Sequence, residues 1–148
     1  MRFVLAFALA TLTIIPAASA ASGKVLDTQE IAALETKAAQ AAPKEQCFLY
    51  AELAHSMAQL ASQQLSAGDT AKASASLKAV QRYAEKIHMG VADDAKKLKN
   101  AEILMRHTAY ELKELMMGVS LDDRPTLEST LKQLDQVEAE MMVQVFKR

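Results

Sequence analysis

Between Leu98 and Leu115 the chain places Leu98, Ala101, Met105, Thr108, Leu112 and Leu115 at alternating steps of three and four residues. A helix turns by about 100° per residue, so these side chains gather on one side. They form a seam roughly two and a half heptads long, too short to demand a coiled coil and long enough for bundle packing. A strand would scatter the same residues over both of its faces. Comparable stripes recur in the neighbouring segments. Leu49, Leu53, Ala54, Met57, Leu60 and Ala61 share an arc in a helix predicted over 43–67. Ala73, Leu77, Val80, Ala84 and Ile87 do so over 70–89, on a slim surface rich in Ala and Ser. Leu127, Leu131, Leu134, Val137, Met141 and Val145 mark a last helix running toward Phe146. A leading segment, 27–42, is weaker and offers only Ile31, Leu34 and alanines.

Punctuation falls between these stripes. Asp27 three residues before Glu30 has capping-box spacing. Pro43 suits a first helical turn, and Gly68 suits a left-handed C-terminal position, with Asp69 or Thr70 to cap the return. Gly90 precedes Asp93 and Asp94, Gly118 closes the seam helix, and Asp123 with Pro125 opens the last one. With four Gly and three Pro in all, and no alternating strand pattern, the expected fold is all-α. It is an antiparallel helical bundle of four long helices plus a weaker N-terminal helix, in a single domain over 21–148.

The first residues read as a secretory leader. Arg2 precedes an apolar run over 3–15, and Ala18-Ser19-Ala20 supplies small residues for cleavage after residue 20. The run is shorter than the ~20 residues a membrane-spanning helix needs and stops at Pro16. The expected location is periplasmic or secreted, with no transmembrane anchor after cleavage. Of 17 basic residues Arg2 leaves with the leader, and against 18 acidic ones the formal charge becomes about −2. That balance, without a basic cluster among exposed aromatics, argues against a nucleic-acid partner. Cys47 is the single cysteine, so no intrachain disulfide forms. It reads as a small buried hydrophobe or, in an oxidising compartment, as a reactive thiol or a bridge to a second chain.

Leu60, Ala61, Gly68-Asp69, Ala73 and Leu77 weakly resemble one degenerate tetratricopeptide-like helical hairpin over residues 57–84. The resemblance implies two helices joined through a Gly-Asp turn and points toward protein or peptide binding.

Two Glu-x-x-His pairs, Glu52 with His55 and Glu85 with His88, have the spacing with which bundle helices offer ligands to a di-metal centre. On the wheel, Glu52 and His55 lie away from the arc centred on Leu53, beside Lys44, Gln59, Ser62 and Ser66. Glu85 shares a side with Lys78 and Arg82, while His88 sits near a boundary. The expectation is therefore of wet faces and no metal or other cofactor. Haem ligation meets the same difficulty. Met57, Met105 and Met141 turn inward, whereas His55 and His107 turn outward. Glu138 alone falls within an apolar arc; if buried it needs a cationic or hydrogen-bonding partner or a raised pKa, but such a Glu more often borders the core and extends its carboxylate outward. No nucleophile elbow, phosphate loop or metalloprotease motif occurs, and the paired Asp residues sit where helix dipoles favour them, so no enzyme is expected.

Opposite the seam, Ile103, Tyr110 and Met117 recur at sevens. Three arrangements suit them: cover by the helix 27–42, a protein-partner or homodimer face, or scattered surface apolarity. The expected function is an exported, non-catalytic interaction or structural module. The alternative is a small-ligand, metal or haem carrier.

Overall fold

The computed structural model describes residues 25–89 and 95–146 of the 148-residue chain, with the side chains of His88, Met89 and Ala95 outside the described set. The expected leader, Gly90 and the expected helix start at Asp93-Asp94 also lie outside it. Five helices are present and, among the described residues, no strand: α1 Thr28–Gln40, α2 Pro43–Ser66, α3 Thr70–Met89, α4 Ala95–Met116 and α5 Arg124–Phe146.

Local chemistry sets the boundaries. Glu30 N donates to Asp27 Oδ1 at 2.8 Å and Asp27 N to Glu30 Oε2 at 3.0 Å, a reciprocal capping box at the start of α1. Pro43 occupies the first turn of α2, where its missing N–H removes no helical bond. Gly68 takes φ 78°, so the turn into α3 needs a residue without a Cβ penalty. Asp69 caps α3 through Lys72 N, and Ser120 Oγ holds the Asp123 carboxylate at 2.7 Å just ahead of α5.

Cross-helix bonds define the topology. Lys97 meets Glu45 and His55 meets Thr108, so numbers rise together and α2 runs parallel to α4. Gln81 bonds Thr130 and Gln133 bonds Glu85, so α3 is likewise parallel to α5. Arg106 pairs with Glu138 and Lys113 with Asp135, which makes α4 and α5 antiparallel. The molecule is thus two helical hairpins, α2–α3 and α4–α5, laid side by side. The helix α1 packs on α2, and none of its Cα atoms comes within 8 Å of α4.

The inward stripes expected from the sequence build the core. Leu53, Leu77, Ile87, Leu98, Met105, Leu112, Leu127, Leu134 and Met141 are among its largest buried side chains. The helix α2 departs from a one-arc pattern. It has α1, α3 and α4 as neighbours, so Cys47, Tyr50, Ala51, Ser56 and Ala58 are buried as well. Cys47 is 0 % exposed, and burial pushes its thiol up to about 11. That is the state of a packed hydrophobe, since a nucleophilic cysteine needs a lowered thiol pKa and access to solvent. Glu138 has the cation its position calls for. Arg106 reaches across from α4 to its carboxylate at 3.2 Å and also pairs with the buried Glu102 one turn back. Ile103, Tyr110 and Met117 remain 50, 61 and 74 % exposed, because α1 lies against α2 rather than over them.

Candidate metal centre and adjoining groove

With three neighbours, α2 has no fully wet side. The face that carries Glu52 and His55 turns toward α4 and α1, and both residues are half-buried. The parallel register brings His55 opposite Thr108. Its Nδ1 lies 2.9 Å from Thr108 Oγ1, which donates its own proton to the Leu104 carbonyl at 2.8 Å. With its proton on that carbonyl, the hydroxyl accepts from the His55 tautomer that carries Nδ1–H, the one that leaves the Nε2 lone pair open. This is how an outer partner sets the orientation and tautomer of a metal-ligating histidine.

His107 and Glu111 stand four residues apart on α4 and so share a helix side. Glu111 reaches both imidazoles, at 3.7 Å from His55 Nδ1 and 3.6 Å from His107 Nδ1. The two rings lie 5.5 Å apart between centroids. One nitrogen from each histidine and one Glu111 oxygen all fall within 4.8 Å of one another. Bonds of ~2.0–2.2 Å to a tetrahedral ion place donor atoms roughly 3.3 Å apart. The cluster must therefore contract modestly. The side chains of His107 and Glu111, 60 and 36 % exposed, have room to swing, while His55, at 18 %, is the anchored member. Burial lowers the pKa of His55, the Glu111 carboxylate opposes that shift and His107 reinforces it. Neutral imidazole is the form that binds metals.

A groove of about 1020 Å³ adjoins the cluster. Its floor is the α2 stripe Phe48, Glu52, His55, Ser56 and Gln59, and one wall is Asn100, Ile103, Leu104 and His107 of α4. The other wall is Leu26 with Glu30, Ala33, Leu34 and Lys37 of α1, spaced along the chain as the floor residues are. Desolvation raises the pKa of Glu52, and Lys37 across the groove partly offsets this. Glu111 stands behind the histidines, where it lines a second concavity of about 710 Å³ with Tyr110.

Of the four residues singled out for their spacing, only Glu52 and His55 enter this site. Glu85 is exposed on the α3–α5 side, where Gln133 Nε2 lies 3.3 Å from its Oε1, and the His88 side chain is outside the described residues. His55, expected to point outward into water, is instead 18 % exposed beside α4, whereas His107 keeps the expected outward position at 60 % exposed with its ring 5.5 Å from that of His55. Helix-wheel reading missed His107, Glu111 and Thr108 as a group. Its one usable signal was the four-residue spacing of His107 and Glu111. A second hint lay in Ala51 and Ala58, small residues flanking Glu52 and His55, which announce that another helix approaches there. No protein-family model, no curated protein and no solved structure matches the chain, so the functional reading rests on the geometry of this cluster and its groove.

Proposed function

We propose that the chain is an exported helical-bundle carrier of a divalent transition-metal ion held by His55, His107 and Glu111. The convergence of two imidazoles and a carboxylate within 4.8 Å carries this reading. Two nitrogen donors and one oxygen donor form a borderline set that suits Zn²⁺, Ni²⁺ or Cu²⁺ and not the all-oxygen shell of Ca²⁺ or Mg²⁺. Export is supported by the charged, apolar and small-residue regions of residues 1–20. Metal analysis of natively purified protein, with calorimetric titration of Zn²⁺ into the apo-protein, tests the proposal. One ion per chain, lost in His55→Ala and His107→Ala, is the expected result. Folded protein that takes up no Zn²⁺, Ni²⁺ or Cu²⁺ ends the idea.

A second reading, a protein-interaction module, draws on the exposed Tyr110, Met117 and Leu121. The side-by-side hairpins are also consistent with the tetratricopeptide-like pattern over 57–84. Sedimentation of the wild type against Tyr110→Glu checks for self-association through this face. A monomer in both cases at high concentration removes the homodimer version.

A further inference from the structure

The groove beside the cluster exposes mainly apolar surface, with Glu30, Lys37, Glu52 and Asn100 set along it and the two histidines at one end, and these features together specify a ligand. We propose that it binds an amphipathic monocarboxylate, an unbranched apolar chain whose carboxylate completes the coordination of the metal. The inference rests on the metal reading above. Three protein donors leave a tetrahedral ion with a fourth position. His55 and His107 both line the groove whereas Glu111 stands behind them, so that position opens into the groove. A divalent ion held by two neutral imidazoles and one carboxylate carries a net charge of about +1, which an anionic head group neutralises.

The body of the ligand is argued from the floor and walls. Phe48 lies seven residues before His55 on α2, about 10 Å along the helix. Leu34, Ile103 and Leu104 flank that path, and the volume is of the size that encloses small organic ligands. Ile103 is half exposed, and a bound chain would cover it. Glu52 lies midway along the same path. Its carboxylate opposes an anionic ligand only weakly, because Lys37 faces it and the ligand's own charge sits at the histidine end.

Calorimetry with decanoate distinguishes the outcomes. Protein loaded with one equivalent of Zn²⁺ and desalted is expected to bind decanoate at least about 10-fold more tightly than metal-free protein. Decanol, with the same chain and no charge, should show no such gain. Phe48→Ser should weaken decanoate binding with Zn²⁺ affinity unchanged, and Glu52→Gln should leave it equal or tighter. Equal decanoate affinity with and without Zn²⁺, or no binding to the Zn²⁺-loaded protein, overturns the inference and leaves the metal reading standing. Failure of Zn²⁺ itself to bind overturns both. Circular dichroism of Phe48→Ser, together with the milder Ile103→Ser, separates loss of ligand from loss of fold.

Discussion

Glu52 with His55 and Glu85 with His88 share one spacing in the sequence, yet their helices place the two glutamates in different surroundings. The helix α2 is packed by α1, α3 and α4, whereas α3 packs on α2 and α5 and meets α1 only through the Tyr83–Glu35 side chains among the described residues. On α2 the polar pair faces a groove, and His55 meets a hydroxyl, a second imidazole and a carboxylate. On α3 the equivalent glutamate stays in water, touched by one glutamine amide. A residue opposite the main apolar arc is wet where no further helix packs on its own side. The number of packed neighbours, more than the spacing of the ligands, separates a candidate site from surface decoration.

The largest contrast should appear in metal affinity. His55→Ala removes an anchored ligand and is expected to weaken Zn²⁺ binding by more than ~100-fold, beyond the ~10–100-fold range associated with outer-shell partners. Glu85→Ala should leave it unchanged, and equal losses in the two variants would break the comparison. Thr108→Val, which frees the His55 ring, should fall within that ~10–100-fold range, with Thr108→Ser restoring affinity. A proton NMR spectrum of the imidazole N–H would report the lost Nδ1–H bond.

Stability provides the next contrast. Ala51→Leu forces extra volume into the crowded flank of α2 and should cost about 1–3 kcal/mol in urea unfolding. Ala75→Leu, on the exposed side of α3, should stay within about 0.5 kcal/mol. If both prove neutral, α2 is not the crowded helix described above.

The smallest effect concerns pH. Burial raises the pKa of Glu52 in the folded chain, so the folded state holds this proton to higher pH than the unfolded state does. The stability gained from protonation is present below the unfolded pKa and lost as pH rises through the raised folded value. Glu52→Gln should therefore increase the melting temperature at pH 7 and make little difference at pH 3. Glu85→Gln, a substitution at an exposed position, should leave stability within about 0.5 kcal/mol. A lower melting temperature for Glu52→Gln at pH 7 would mean that the Lys37 interaction outweighs burial.

Much of the architecture was legible in the chain. The box at Asp27–Glu30, Pro43, Gly68-Asp69 and Pro125 each act within one turn, and the stripes on α3, α4 and α5 point where their periodicity sends them. Glu138 was legible as a carboxylate at the edge of the core, but neither the kind of its partner nor Arg106 itself was. The candidate site was the least legible part. His55 and Thr108 are 53 residues apart, and the wheel of α2 shows its strongest arc without showing how many helices surround it.

The sequence by itself determined five helices, the starts of α1, α2, α3 and α5, and the innermost faces, because caps and apolar periodicity are local properties. Only the tertiary structure decided that α2 packs beside α4, that α1 leaves a groove instead of covering Ile103, and that His55 meets His107 and Glu111. Those outcomes depend on the register between helices distant in the chain, which is set by how whole faces of side chains interlock and not by the spacing within either helix.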